Sequence, residues 1–474
     1  MMAMRALTLL IALGLSACAA VGPDYVRPAS ELPAQWKSDG DWQPASPADS
    51  QPKTEWWRAF GDAELNRLEA DALARSPTLQ TALARLDQAE AQSRVHGAAA
   101  LPAVSLGAAA SRSRISADRP LSAYGSSNSS VVQNDLKPTL GVSYEIDWLG
   151  RVRRDIESAR ASAEQAAAEQ ANVQLLLTAQ LASVYLQLRQ QDEEIRLLDG
   201  IVAAQQRVLE LTRIRRRNGL DAAGDEALQT AAVAANRAQR ELLLNQRRQN
   251  EDLLATLSGT PAAGFRLAPG ALPASAPQIP AGAPSLLLQR RPDIASAERA
   301  MAAANAQIGV ARAAYFPQLT LMPTYAGSES SSLANLFSTP ALIWSIGLQA
   351  TQTLFDNGRT RANVDYAQAG YRAALANYRQ SVLQAVQEAQ DALGTLHGLD
   401  AARRQQDEAV RNQDKAYAIA KLRYREGLDN ALTLAIVQQN QLTAQRTQAQ
   451  LRGSQLIASV SLLKALGGGW QGSR

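Results

Sequence analysis

The 474-residue sequence contains one cysteine and two histidines, and aromatic residues make up only 5% of it. A single cysteine cannot form an internal disulfide, and these few cysteine and histidine residues lack the spacing of a metal site. The formal net charge is only +4. No basic stripe with interleaved aromatic residues occurs, so the composition argues against a nucleic-acid-binding protein.

Catalytic signatures are missing as well. The sequence has no P-loop, no dinucleotide-binding fingerprint and no recognisable Ser/His/Asp set. We therefore predict neither enzymatic activity nor a cofactor. Arginine clusters such as Arg215-Arg216-Arg217 lie among helix-forming residues, which favours solvated or interhelical faces over an anion site.

Long hydrophobic runs do not occur after residue 17. A membrane-spanning helix needs about 20 consecutive apolar residues, and no run approaches that length. If the protein spans a membrane, we expect it to do so as a β-barrel, because lipid offers no partner to unpaired backbone groups.

The N terminus is typical of an exported bacterial lipoprotein. Arg5 provides positive charge, and Leu7–Leu15 form an apolar stretch too short to cross a membrane. The sequence Leu15-Ser16-Ala17-Cys18 resembles a lipoprotein signal, so we predict that residues 1–17 are removed and that Cys18 carries a covalent lipid. Ala19 follows the cysteine where an aspartate would indicate inner-membrane retention, which favours the outer membrane. An ordinary signal peptide with an incidental cysteine is the alternative.

Proline is distributed unevenly. None occurs in residues 139–260 or from residue 341 to the end, and a proline costs about 3 kcal/mol inside a helix. We therefore predict long helices, of which Arg151–Arg217 would extend about 100 Å at 1.5 Å per residue. Apolar residues at alternating spacings of four and three indicate a coiled-coil seam in each half. They are Leu197, Ile201, Ala204, Val208 and Leu211 in the first half, and Val382, Val386, Ala389, Leu393 and Leu396 in the second.

The chain also repeats itself. At an offset of 208 residues, Gly150-Arg151 aligns with Gly358-Arg359, and Gly219-Leu220-Asp221 aligns with Gly427-Leu428-Asp429. We infer two homologous halves, each with a helix, a strand pair (about 102–148 and about 317–353) and a long helical hairpin (150–258 and 358–466). The predicted domains are the signal peptide (1–17), a lipid-anchored extended segment with equatorial elements (18–76), repeat 1 (77–258), a proline-rich linker (259–291), repeat 2 (292–466) and a C-terminal tail (467–474).

Between the helical parts, apolar and polar residues alternate. The pattern is clear in Leu136–Trp148 and Leu342–Thr351 and weaker in Val104–Ala110 and Leu319–Tyr325, and it is typical of transmembrane β-strands. Four strands cannot close around a lumen, so we expect a barrel shared between copies; a soluble antiparallel sheet is the alternative. The polar loops that join the strands of each pair are predicted to be Arg112–Asp135 and Gly327–Pro340.

Six motifs, in order along nearly the whole mature chain, resemble the TolC-type outer-membrane factor family, nearest its OprM/NodT-like lipoprotein branch. They are Val21-Gly22-Pro23-Asp24-Tyr25, Trp56-Trp57-Arg58-Ala59-Phe60-Gly61-Asp62, Arg290-Arg291-Pro292-Asp293-Ile294 with Ala297-Glu298, Ile308-Gly309, Phe316-Pro317, and Lys464-Ala465-Leu466-Gly467-Gly468-Gly469-Trp470.

The resemblance implies a mainly α-helical protein with a membrane β part. Three copies would share a twelve-stranded barrel, with four strands from each, and their antiparallel helices would form a periplasmic tunnel. The implied function is a passive exit duct for drugs and xenobiotics in the outer membrane, docked onto a periplasmic adaptor and a proton-driven inner-membrane pump of the RND type. Type I protein secretion and heavy-metal efflux remain alternatives, the latter weakened by only five methionines and two histidines. A non-conducting envelope tether is an alternative of another class.

The resemblance also places the adaptor-docking tips at the two hairpin turns. The residues at these tips are Gly219 and Leu220 in the first turn and Gly427 and Leu428 in the second. Turn chemistry alone is the simpler explanation of the two glycines, because glycine permits the left-handed backbone of a helix reversal.

The gate of this chain departs from the family pattern. Relatives often carry an aspartate after the second turn, where three copies form an acidic ring, and Ile436 occupies that position here. Two hypotheses follow: Asp225 and Glu226 of the first half supply the ring, or Ile436 forms an apolar constriction that closes by dewetting. The other gate candidates are Thr433, and Arg423 and Tyr424, which would tie the closed helices together.

Overall fold

The computed structural model describes residues 20–28, 36, 55–117, 130–220, 222–273, 276–277, 279, 290–322 and 324–468. The predicted signal peptide, Cys18 and Asp221 lie outside these residues, as do parts of the predicted linker and tail. Two compact units are present. The first comprises Met1–Pro28, Leu86–Ala166 and Ala297–Tyr378, and the second comprises Ala29–Arg85, Ala167–Ser296 and Arg379–Arg474.

The helices repeat in length from one half of the chain to the other. The two longest have 67 residues each, and both are followed by a helix of 35 residues. The predicted bounds of the first long helix are confirmed, and the equal lengths agree with two homologous halves. The helices are α1 (Ala63–Arg75), α2 (Pro77–Ala98), α3 (Arg151–Arg217), α4 (Ala223–Leu257), α5 (Pro292–Ala313), α6 (Arg359–Arg425) and α7 (Ala431–Ala465).

Aspartate side chains begin the long helices. Asp147 accepts hydrogen bonds from the backbone N–H groups of Val152 and Arg153, at 3.0 and 2.9 Å. Asp356 accepts from the N–H group of Thr360 at 2.8 Å. A carboxylate at this position satisfies donors that have no partner within the helix and interacts favourably with the helix dipole. These contacts fix the points at which the strands give way to helices.

The strands form two antiparallel sheets in the first unit. One has the order β1-β2-β5-β6 and the other β3-β4-β7. The seven segments lie along four lines, since β2 continues into β3, β4 into β5, and β6 into β7, with a short break in each. The strands are β1 (Ala103–Ile115), β2 (Val131–Ser143), β3 (Glu145–Ile146), β4 (Gln318–Leu321), β5 (Thr324–Ser328), β6 (Leu342–Ser345) and β7 (Leu348–Thr351).

The predicted loops were too long. Strand β1 pairs with β2 from Ala103↔Ser143 to Ile115↔Val131, so residues 112–115 and 131–135 belong to a hairpin ladder. Polar side chains there misled the prediction, because backbone pairing does not require an apolar residue. In the second pair, Gly327 and Ser328 lie in β5, and two short 3-10 helices, Leu333–Asn335 and Thr339–Ala341, occupy much of the rest.

Several large apolar side chains of the strands are exposed. Trp344 of β6 is 76% exposed and Leu106 of β1 is 82% exposed, and an apolar surface of this kind marks contact with a lipid or a protein. Among the described residues, no helix combines the length and the hydrophobicity needed to cross a membrane.

The second unit is built around an aromatic and aliphatic core. Trp56 and Trp57 pack edge to face with ring centroids 5.8 Å apart, and both are buried in a cluster with leucines of α1 and α3. The hydroxyl of Tyr185 donates a 2.7 Å hydrogen bond to Asp62, which also accepts from the first N–H groups of α1. The tryptophans are therefore packing anchors of this core.

Four buried charges connect α3, α4 and the segment after α4. Arg247 donates to Asp192 at 2.6 Å, to Glu251 at 3.2 Å and to the carbonyl of Leu267 at 2.7 Å. Arg189 donates to Asp192 at 3.1 Å. We call Arg189, Asp192, Arg247 and Glu251 the buried charge network. Its members satisfy one another, which is the condition for retaining charges in a protein interior.

Removing the central carboxylate of this network should destabilise the protein. In Asp192→Ala two buried guanidinium groups lose their shared partner, and we expect a loss of about 3 kcal/mol in the free energy of unfolding. Asp199→Ala is the matched control, because Asp199 is about half exposed and pairs with Arg240 on the same two helices; it should cost about 0–1 kcal/mol. Equal denaturation midpoints for the two variants, followed by circular dichroism, would contradict this account.

Glu69 of α1 is a buried carboxylic acid whose burial is not offset by hydrogen bonds from the described residues. Its side chain is 0% exposed, and neither carboxylate oxygen has a hydrogen-bond partner among the residues that the structure describes. Desolvation by burial raises the pKa of Glu69 to about 9. The native state thus retains a proton that the unfolded chain loses at the ordinary carboxylate pKa, and stability falls as pH rises between these two values.

Replacing Glu69 by the neutral amide should remove this pH dependence. Glu69→Gln is expected to match wild type near pH 5 and to exceed it near pH 8, by on the order of a few kcal/mol. Glu64→Gln on the same helix is the control with the opposite sign. Hydrogen bonding from Arg67 lowers the pKa of Glu64. The contribution of Glu64 to stability is therefore present above the ordinary carboxylate pKa and is lost as pH falls through the lowered pKa. Parallel melting temperatures of Glu69→Gln and wild type across this range would refute the prediction.

Candidate gate and docking site

The two hairpin turns have the same backbone construction. Gly219 and Gly427 each have φ of +71°, a left-handed conformation that glycine adopts without steric cost. The N–H group of Leu220 bonds to the carbonyl of Arg215 at 2.9 Å, and that of Leu428 bonds to Arg423 at 2.8 Å. This is the Schellman arrangement that closes a helix C terminus. Leu220 and Leu428 project at the ends of the turns and are mostly exposed.

Away from the hairpin turns, helix α3 has polar contacts with two neighbouring helices. Toward α4, Asn236 donates to Gln205 at 2.8 Å. Toward α7, Arg207 donates to Gln438 at 3.1 Å. Helix α7 in turn bonds to α6, where Gln441 donates to Asp414 at 2.8 Å. The first hairpin (α3 and α4) and the second hairpin (α6 and α7) thus meet through α3 and α7.

Asp225 and Glu226 are both engaged within the first hairpin. The Asp225 carboxylate accepts a hydrogen bond from the N–H group of Ala222 at 3.1 Å, which caps the start of α4. Glu226 accepts from Arg216 at 2.5 Å and from Arg213 at 3.1 Å. These hydrogen bonds, the one from Arg216 foremost, lower the pKa of Glu226. Neither acid is therefore an isolated carboxylate.

Ile436 and Thr433 lie in the first two turns of α7. The N–H group of Thr433 donates to Asn430 at 2.8 Å, so this threonine supports the helix start. Ile436 is 49% exposed. Leu432, one turn earlier, falls on the same helical face and is also exposed. The start of α7 therefore exposes the apolar side chains of Leu432 and Ile436, and Ile436 takes the place of the aspartate expected from the family resemblance.

Arg423 is paired inside its own hairpin turn. Its guanidinium donates to Asp429 at 2.6 Å, which joins the end of α6 to the residue before the cap of α7. Tyr424 is partly exposed next to it. Sequence reasoning missed both this pairing and that of Glu226. For Glu226 the available signal was register: residues equally far from a turn, such as Arg213 and Glu226 around residues 219–220, face each other in an antiparallel hairpin.

The segment that follows the predicted lipidation position is fixed in the first unit. The N–H group of Val21 bonds to the carbonyl of Leu149 at 2.8 Å, and Arg154 donates to Asp24 at 2.6 Å. Gly22 lies against Gly309 of α5, so that a Cβ on Gly22 would be 2.5 Å from the Gly309 Cα. Both glycines belong to sequence motifs, but no local pattern in the sequence predicts that they lie against each other.

Within the part of the chain that the structure describes, no group of three or more His, Cys, Asp or Glu side chains converges as metal ligands. His96 lies with its Nδ1 2.6 Å from a carboxylate oxygen of Asp155.

Comparison with known proteins gives a consistent result. A family model for outer membrane efflux proteins matches residues 68–260 and 283–468. The chain is 37% identical over 462 residues to the pyoverdine export outer membrane protein OpmQ of Pseudomonas putida, covering 97% of this chain and 96% of that protein. It is 33% identical to the toluene efflux pump outer membrane protein TtgC, also of Pseudomonas putida, covering 94% and 92%. The open state of the MtrE outer membrane channel of Neisseria gonorrhoeae matches with a TM-score of 0.79 and 28% identity, covering 95% and 98%.

The close approach of Gly309 to the N-terminal segment can be tested by substitution. A Cβ at this position would lie 2.6 Å from the Val21 carbonyl oxygen and 2.8 Å from the Arg154 Cγ, so Gly309→Ala should displace residues 21–24. We expect faster amide hydrogen exchange at Val21, measured by mass spectrometry. Gly370→Ala is the control, because no atom of the described residues lies within 4 Å of the added Cβ. Unchanged exchange in Gly309→Ala would show that the segment is held elsewhere.

Proposed function

Because the chain belongs to the outer membrane efflux protein family and is an outer-membrane efflux channel, we propose that three copies assemble into one passive exit duct. The sheet topology is the observation that supports this assembly. Strand β1 pairs only with β2, and β6 pairs only with β5, in the described residues. Both edges therefore need partners, and four lines of strand are too few to enclose a lumen.

Three copies would contribute twelve strands to a shared barrel in the outer membrane. The exposed apolar side chains of β1 and β6 would then face lipid, and the helical hairpins would form a periplasmic tunnel. In this assignment the chain conducts solutes and carries out no chemical reaction.

A lipid on Cys18 would reinforce attachment to the outer membrane. Ala20 and Val21 are held next to Leu149 and Gly150, close to where the strands end. The predicted lipidation position is two residues before Ala20, so the lipid would be attached next to a segment that is held at the ends of the strands. The bonds of Val21 and Asp24 support this anchoring role.

The substrates are proposed to be small organic molecules, because OpmQ is named for pyoverdine export and TtgC for toluene efflux. The partners are proposed to be a periplasmic adaptor, docked at the turns containing Gly219, Leu220, Gly427 and Leu428, and a proton-driven inner-membrane pump.

The contacts at the turns favour an apolar gate. Asp225 is engaged in a helix cap and Glu226 in two ion pairs, whereas Ile436 is available on an apolar face of α7. Three copies of this face would form a constriction from which water withdraws. Arg423 would hold the second turn in shape through Asp429, and Thr433 would hold the start of α7.

A charge placed in the constriction should open it. We expect Ile436→Asp to raise single-channel conductance in planar bilayers severalfold, because a ring of carboxylates retains water and cations. Leu242→Asp, at an exposed position of α4 well away from the turns, should leave conductance unchanged. The acidic-ring hypothesis would be favoured instead if Ile436→Asp had no effect and Asp225→Ala or Glu226→Ala raised conductance.

The efflux function itself is tested by growth inhibition of a strain that lacks the gene, with and without its restoration. A panel of dyes, antibiotics, detergents, aromatic acids and metal salts should show hypersensitivity to several unrelated organic compounds. Sensitivity restricted to metal salts, or impaired secretion of a protein without drug sensitivity, would contradict the proposal.

A further inference from the structure

The groove between α3 and α4 near the first turn carries an excess of positive charge. It has a volume of about 1130 Å³, and four guanidinium groups and two carboxylates line it, which gives a formal net charge of +2. The charged residues are Arg213, Arg216, Arg217, Arg237, Glu210 and Glu226.

The floor of this basic groove is apolar. Leu209 of α3 and Val233 of α4 are both buried there. The lining on α3 extends from Gln206 to Arg217, about 16 Å or three turns of helix. Two adjacent helices present a groove into which the side-chain ridge of a third helix packs. The shape and the floor therefore suit an amphipathic helix.

Not all of the arginine side chains that line the groove form ion pairs within it. Glu226 binds Arg213 and Arg216, and these three groups hold one another in place. In contrast, no carboxylate lies within ion-pair distance of Arg217 or Arg237 among the described residues. Two guanidinium groups on opposite walls are thus available to an outside partner.

The second hairpin shows that the fold does not require cations on both walls of such a groove. It has helices of the same lengths, and the offset of 208 residues relates the two hairpins throughout. At the equivalent positions, Lys421 and Arg425 match Arg213 and Arg217, whereas Arg216 is replaced by Tyr424, Glu226 by Leu434 and Arg237 by Gln445. Because the same backbone forms without a cation at the position of Arg237, the guanidinium groups on both walls of the first groove call for another explanation.

We propose that the basic groove binds an acidic, amphipathic α-helix of the periplasmic adaptor, and that the second hairpin has no such preference. The inference rests on the proposed function, in which the hairpin turns meet an adaptor. Leucine-like side chains of the helix would contact Leu209 and Val233, and flanking carboxylates would pair with Arg217 and Arg237. Opposite charges across an interface favour specificity and fast association.

The test uses the full-length protein in detergent micelles and two synthetic helices held helical by side-chain staples. Both carry leucines along one face; one has glutamates at the flanking positions and the other glutamines. By fluorescence anisotropy at low salt, wild type should bind the acidic helix about tenfold more tightly than the neutral one. The preference should weaken as salt is added, since exposed charges are screened beyond about 10 Å at 0.1 M.

Three variants separate the groove from general surface charge. Arg217→Glu/Arg237→Glu should abolish the preference, whereas Arg425→Glu, at the position of the second hairpin equivalent to Arg217, should retain it. Glu226→Gln removes a negative charge from the groove and should strengthen binding of the acidic helix severalfold, a gain that misfolding would not produce.

Equal affinity of wild type for the two helices, or a preference that survives in the double variant, would overturn the inference. Conductance of the same preparations in planar bilayers distinguishes this failure from that of the proposed function. If the wild-type protein conducts ions but does not prefer the acidic helix, only the groove assignment is refuted. If it does not conduct, the proposed channel function, on which the groove assignment rests, is refuted.

Discussion

The constraint on which this structure depends is the length of its helices. Each long helix of 67 residues is followed by one of only 35, so the hairpin alone leaves almost half of the long helix without a return partner. In the first half of the chain, other segments pack on that remainder. Ser158 of α3 donates to the carbonyl of Ala303 at 3.1 Å and accepts from Gln307 at 2.8 Å, both on α5.

Because separate segments cover the remainder of the long helix, close contacts are needed where those segments pack. The N-terminal segment fits against α3 and α5 only because Gly22 and Gly309 bring no side chain to the contact. In the second unit, the buried charge network holds the chain leaving α4 against α3 and α4 through backbone groups of residues 267–270. Both sites use groups that a simple coiled coil would not contain.

The two hairpins combine one backbone with two chemistries. Their turns share the same glycine conformation and the same closing hydrogen bonds, since these are dictated by the helix reversal. The side chains differ: the first hairpin carries the basic groove, while the second presents Leu432 and Ile436 on α7. A duplicated scaffold thus separates a surface suited to an acidic partner from a surface suited to an apolar constriction.

Periodic and backbone-determined features could be predicted from the sequence, and contacts between distant residues could not. The bounds of α3, the helix starts at Pro77 and Pro292 and the turns at Gly219 and Gly427 follow from local rules on proline, glycine and heptad spacing. The burial of Glu69 carries no such signal, because its position looks like the polar face of an ordinary helix. The pairing of Glu226 with Arg213 and Arg216 follows from the antiparallel register of the hairpin, but the helix cap formed by Asp225 carries no such signal. The hairpin ladder beyond Ser111 was missed because polar strand residues resemble loop residues.

The central claim is that one copy cannot close the duct and that three copies do. Its most direct test is the native mass of the purified full-length protein in detergent, measured on the same preparation that is examined for ion conductance in planar bilayers. The account predicts a conducting species that contains three copies of the chain. A conducting monomer, or a conducting assembly with a different number of copies, would contradict it.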